Sequence, residues 1–225
     1  MIEARGLARR FGAVAALESV DLRVEPGESL ALFGANGAGK TTLLRILGLV
    51  LRPSAGSLRV GGLDPRRQQQ QVLASIGLVS HATWLYEDLT ARQNLEFFAA
   101  LYGVPAPTAR AAELLELVEL TPRRDDPVRT FSRGMQQRLA LARGLVHAPR
   151  LVLLDEPFSG LDPHASDVLC RTLAGLRRQG CTLVFATHDV AQGLALSDRW
   201  AFLARGRVRQ SGDSGTTDPR SLSYT

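Results

Sequence analysis

The sequence predicts an α/β fold: a parallel-sheet core with an antiparallel β segment at its N-terminal end and an inserted helical block. Three observations carry this. Val20, Leu22 and Val24 alternate with Asp21 and Arg23, the pattern of a half-buried strand in an antiparallel sheet. Leu151–Leu154 and Thr182–Phe185 are unbroken apolar runs, as expected of parallel strands covered on both faces, and Ser29–Phe33 is a further short buried strand. From about Ile76 to His147 the character turns helical, with the helical subdomain proper expected over about residues 84–147.

Each helix has its own signals. Thr90 with Gln93 forms a capping box ahead of Leu95, Phe97, Phe98 and Leu101, and Gly103 closes that helix. A second helix is predicted from Thr108 to Leu120, stopping before Pro122, and a third from Ser132. Gln68 to Gln71 reads as an exposed helix. The folded unit is expected to span residues 1–208, with residues 209–225 too polar to pack and therefore a disordered tail.

The chain of 225 residues, 45 % hydrophobic and 22 % charged, has the composition of a soluble domain. No apolar run approaches the roughly 18 residues of a membrane span, and Met1–Arg5 lacks a secretory layout. A cytoplasmic location is expected, on the inner face of the membrane if a membrane partner exists. Cys170 and Cys181 have no pairing or metal spacing and are expected as reduced thiols. The net charge is +5, but the arginines lie singly or in pairs without interleaved aromatics, so no nucleic-acid partner is expected.

Of the 27 basic residues, 26 are arginine; Lys40 is the sole lysine. It lies in Gly34-Ala35-Asn36-Gly37-Ala38-Gly39-Lys40-Thr41, which fits G-x-x-x-x-G-K-[ST] at every fixed place. Such a loop points successive backbone N–H groups into one concavity, and the following helix adds its positive end. Lysine supplies a compact ammonium for β- and γ-phosphates where arginine offers a planar fork. The Thr41 hydroxyl can ligate Mg²⁺.

Asp155 and Glu156 end the run Leu151–Leu154. Carboxylates at the end of a buried strand are costly unless a cation or a proton transfer keeps them there. Asp155 is assigned to magnesium, and Glu156 to the base that polarises an attacking water. Further upstream, Ser132 caps a helix and Gly134 lets an anion approach its amides.

The order of these motifs, with Ser159-Gly160-Leu161-Asp162 following and His188 after the next apolar strand, resembles the ATP-binding subunit of ABC transporters over about residues 1–208. The resemblance implies a P-loop NTPase core of the ABC ATPase type, with ATP and Mg²⁺ as ligands. It also implies a homodimer in the ATP-bound state and integral membrane transporter subunits as partners. Gly34, Ala35, Asn36, Gly37, Ala38, Gly39, Lys40, Thr41 and Thr42 would bind the phosphates. Ser132, Arg133, Gly134 and Met135 stand at the signature sequence, which in this family reaches the γ-phosphate on the opposite subunit. Asp162 ends the subunit-bridging D-loop, His188 is the switch histidine, and Phe11 stands where an aromatic stacks on adenine.

Phe131, Arg133 and Met135 depart from the family's Leu-Ser-Gly-Gly-Gln signature. The family's magnesium-touching glutamine falls on His81, or on Ala82 with a loop one residue shorter. His81 either substitutes as a ligand or is a loop histidine without that role. Within the family, residues 80–92 and 131–139 resemble the haem exporter ATP-binding subunits of bacterial cytochrome c maturation, and related drug and ABC-2-type exporters share much of this wording. The readings are therefore haem export, another ABC-2-type or drug exporter, or a soluble ABC-type ATPase acting on nucleic acid.

Overall fold

The computed structural model describes residues 1–80 and 82–218. Strands β1 (Ile2–Phe11), β2 (Val14–Val24) and β4 (Ala55–Val60) form an antiparallel three-stranded sheet in the order β2-β1-β4. As the alternation predicts, Val20, Leu22 and Val24 are buried while Asp21 and Arg23 face out.

The second sheet has six strands in the order β5-β6-β7-β3-β8-β9. These are β3 (Ser29–Phe33), β5 (Ile76–Val79), β6 (Leu151–Asp155), β7 (Thr182–Ala186), β8 (Arg199–Ala204) and β9 (Arg207–Asp213). All are parallel except β9, which pairs antiparallel with β8. Both faces are covered, which explains the unbroken apolar strands. Leu30, Leu32, Leu151, Leu153, Val184 and Ala186 pack toward the small sheet and helix α1 (Lys40–Leu47). Their neighbours Ala31, Phe33, Val152, Leu154, Leu183 and Phe185 pack toward the helical layer.

That layer contains α3 (Ala91–Leu101), α4 (Pro107–Leu117), α5 (Arg133–Gly144) and α6 (Pro163–Arg178). The predicted capping box is formed: Thr90 Oγ1 accepts from Gln93 N–H, and the Gln93 side chain accepts from Thr90 N–H. Helix α2 (Gln69–Leu73) exposes its glutamines and buries Val72.

Three boundaries differ from expectation. The helical stretch does not begin at Ile76, because Ile76–Val79 is the edge strand β5. Gly77 marks the reason: a Cβ there would lie 2.3 Å from the Gly144 carbonyl, so α5 packs directly on bare backbone. Helix α4 stops at Leu117 rather than Leu120. Glu119 turns left-handed (φ 55°), with Glu119 N–H donating to Glu116 O and Leu120 N–H to Leu115 O. This is a Schellman closure, and Leu120 is buried because it staples the helix end rather than extending it.

The polar tail expected to be disordered from residue 209 instead supplies most of β9 and a short 3₁₀ turn at Ser214–Thr216. An edge strand is held by backbone pairing, so its side chains need not be apolar. Gly212 lies against the Trp200 ring, and Trp200 Nε1–H donates to Thr217 Oγ1 at 2.7 Å. Residues 219–225 lie outside the described part.

His147 packs rather than ligates. It stacks on Tyr102 at 4.1 Å, and Nε2–H donates to Ile76 O at 2.9 Å, joining the helical layer to β5. Burial lowers its pKa; the Ile76 carbonyl opposes this, while Arg143 and Arg110 reinforce it. A depressed histidine favours the neutral form when folded, so its contribution is complete above the unfolded value of about 6.5 and is lost as pH falls below it. Relative to His147→Gln, the wild-type chain should therefore lose stability between about pH 7.5 and about pH 5.5 in urea titrations, and parallel profiles would refute this.

Candidate functional site

The site is built at the carboxyl ends of three adjacent strands, where open α/β sheets commonly bind ligands. Strand β3 runs into the glycine loop, β6 ends on Asp155, and β7 leads through Thr187 to His188. Two backbone bonds hold these ends in register: Glu156 N–H donates to Ala186 O at 3.0 Å, and Thr187 N–H to Leu32 O at 3.2 Å.

Two glycines shape the loop. Gly34 has φ 147°, and a Cβ there would lie 2.3 Å from the Leu203 carbonyl. Gly39 has φ 109°, and a Cβ would lie 2.7 Å from Ala16 O and 2.8 Å from Leu17 Cδ2. The loop is thus clamped between β8 and β2, a contact that no local sequence signal announces. Gly39 is the N-cap of α1 and provides no side-chain cap, leaving the first-turn amides for another acceptor.

Lys40 is buried, only 6 % exposed. Its ammonium donates to Gly34 O at 2.6 Å and to Ala35 O at 3.4 Å, and lies 3.6 Å from a Glu156 carboxylate oxygen. Glu156 itself has φ 51°, a conformation uncommon for a residue with a Cβ and one that collects at functional sites. Its carboxylate bridges Lys40 and His188, whose Nδ1–H donates to the second oxygen at 2.8 Å. His188 is the exposed end of this series, Glu156 is part-buried, and Lys40 is the buried end.

Beside it, Thr41 Oγ1–H donates to Asp155 Oδ1 at 3.0 Å. Burial raises the Asp155 pKa and the Glu156 charge adds to that, while the Thr41 hydrogen bond, Arg45 and Lys40 oppose it. A buried carboxylate beside a hydroxyl is a hard oxygen donor set, the kind that suits Mg²⁺. With the uncapped helix start and buried ammonium, these residues fit a magnesium–polyphosphate ligand.

The other expected site residues lie in two further places. Ser132 is the N-cap of α5, accepting from Met135 N–H at 3.3 Å. Gly134 is buried where α5 meets α6: a Cβ would lie 2.9 Å from Ala165 Cβ and 3.3 Å from Asp162 Oδ2. Its bare Cα therefore serves helix packing, besides the anion approach expected from the sequence. Asp162 caps α6, accepting from Ala165 N–H at 2.9 Å, and the Arg133 guanidinium lies over Gly160. The caps of Ser132 and Asp162 stay within their own helices, and Gly134 packs between α5 and α6.

Phe11 stands at the β1–β2 hairpin, 48 % exposed, with the Arg9 guanidinium 4.6 Å from its ring centroid. It is not a core phenylalanine. His81 lies outside the described residues. Arg138, given no role from sequence, is buried and donates to Val118 O at 2.9 Å and Glu119 O at 3.2 Å, anchoring α5 on the end of α4.

Fold and site together define the class: the ABC transporter family matches residues 17–159, and the chain belongs to that family and carries its ATPase cassette. It is 40 % identical over 209 residues to the daunorubicin resistance ATP-binding protein DrrA3 of Streptomyces coeruleorubidus, covering 92 % of this chain and 66 % of that one. It is 32 % identical over 210 residues to the linearmycin resistance ATP-binding protein LnrL of Bacillus subtilis (strain 168), covering 92 % and 68 %. The chain thus spans about two thirds of the length of these relatives. Among solved structures, the dimeric post-hydrolysis state of the ATP-binding cassette MJ0796 bound to ADP and Pi superposes with a TM-score of 0.88 at 26 % identity, covering 95 % of this chain and 99 % of that one.

Replacing Gly39 by alanine introduces both a left-handed strain and a clash with β2. Gly39→Ala should lower unfolding free energy by about 2 kcal/mol or more, whereas strain-free Gly→Ala changes are neutral or stabilising. An unchanged denaturation midpoint would show that β2 yields.

Proposed function

We propose that this chain is the ATP-hydrolysing subunit of an exporter, acting as a homodimer on separate integral membrane subunits at the inner face of the membrane. The observation that carries the reading is the buried Lys40 ammonium, held by loop carbonyls at 2.6 and 3.4 Å and facing the Glu156 carboxylate at 3.6 Å. Lys40, the loop residues Gly34–Gly39 and the amides of Thr41 and Thr42 bind the phosphates. Lys40 then exchanges its carbonyl and carboxylate partners for phosphate oxygens.

Release from Lys40 frees Glu156 to accept a proton from water, while His188 holds the other carboxylate oxygen. Thr41 and Asp155 would hold magnesium, whose chemistry is to neutralise charge on the terminal phosphates. Ser132, Arg133, Gly134 and Met135 complete the site on the opposite subunit, with Asp162 at the junction between subunits. Phe11, exposed at the hairpin tip, receives the adenine face.

For the cargo, we favour a drug or antibiotic exporter of the ABC-2 type. The support is the resistance function in the names of the relatives at 40 % and 32 % identity. Haem export rests on the resemblance carried by residues 80–92 and 131–139. Reconstitution with its membrane subunits separates the two: ATPase activity should rise with an anthracycline and not with haemin, and the opposite response would reverse the assignment.

Glu156→Gln keeps the shape and removes the base. Turnover should fall about a hundredfold or more while ATP binding persists and a nucleotide-bound dimer accumulates in gel filtration. Full residual ATPase activity would reject Glu156 as the base.

A further inference from the structure

A cleft of about 830 Å³ opens between edge strand β4, the segment after α1 and the turn leading to α2. It lies away from the Lys40 site and shares none of its residues. Its size falls within the range of small-molecule sites, about 300–1,000 Å³.

Its lining is of two kinds. Leu49 and Leu51, both part-exposed, supply an apolar floor, backed by the core residues Ile46 and Leu58. Arg5, Arg52, Arg59 and Arg66 stand around it, against two carboxylates, Glu3 and Asp64. The acids are engaged locally: Glu3 lies 3.7 Å from Arg5, and Asp64 Oδ1 accepts from Arg66 N–H at 2.9 Å. Arg59 and Arg66 each direct one nitrogen to a backbone carbonyl, Gly62 O and Gly56 O. A guanidinium has five N–H donors in a planar fork that matches phosphate, so most of this donor capacity remains for a ligand.

We propose that this cleft is a second binding site, taking a phosphorylated molecule with an apolar body: the phosphate on Arg52 and Arg59, the body on the leucine floor. The surplus of cations selects charge, and the floor distinguishes an amphiphile from a bare anion. A soluble organophosphate and a lipid headgroup present the same chemistry.

Octyl phosphate serves as the soluble probe, titrated by calorimetry into the full chain with Mg·ADP in excess to fill the Lys40 site. One equivalent should bind, more tightly than inorganic phosphate. Arg52→Ala/Arg59→Ala should weaken it about tenfold or more, with thermal midpoint and basal ATPase activity unchanged. Arg52→Lys/Arg59→Lys, which keeps charge without the fork, should fall between. In a parallel arm, sedimentation with vesicles of phosphatidic acid in phosphatidylcholine, lost in the alanine variant while octyl phosphate fails to bind, would assign the source to lipid. The proposal is overturned if neither probe binds, if inorganic phosphate binds as well as octyl phosphate, or if the alanine variant binds like wild type.

Discussion

A cationic side chain in a protein interior must be compensated, because leaving water costs several kcal/mol per ion. In this chain the compensation for Lys40 comes from two directions at once. The carbonyls of Gly34 and Ala35 belong to its own loop, and the Glu156 carboxylate belongs to another strand. The loop curls back onto the ammonium only because Gly34 accepts a conformation pressed against Leu203. The carboxylate faces it only because Glu156 turns left-handed at the end of β6. Ligand binding in such an arrangement is an exchange of partners around a charge already desolvated, so much of the cost of desolvation is met during folding.

Strand order makes this possible. The glycine loop follows β3, and the acidic pair stands at the end of β6, more than a hundred residues later in the sequence. Strand β7 lies between them and contributes His188 from its own end. Helices α3, α4 and α5 fill the chain between β5 and β6 without breaking the sheet, since β5 and β6 pair directly from Ile76↔Leu151 to Val79↔Leu154.

Much of this was legible in the sequence because it rests on local signals. The glycine pattern, the caps at Thr90 and Ser132, the alternation in β2 and the unbroken strands each depend on residues close together, and each is found where the pattern places it. What escaped depends on tertiary partners. Strand β5 is four residues long and is stabilised by α5 lying on Gly77. Leu120 looks like helix and is a staple. The polar strand β9 is held by its neighbour's backbone, which leaves composition free to mislead. In the site, the clamp of Ala16 and Leu17 on Gly39 has no local signature at all, and neither does the anchoring of α5 by Arg138.

Gly134 meets Ala165 and Asp162 at a distance that admits no side chain. The start of α5 and the start of α6 are thereby in direct contact, each carrying its own capping side chain, Ser132 and Asp162. A side chain at this position would have to push the two helix starts apart, so the spacing of both capped ends rests on one bare Cα.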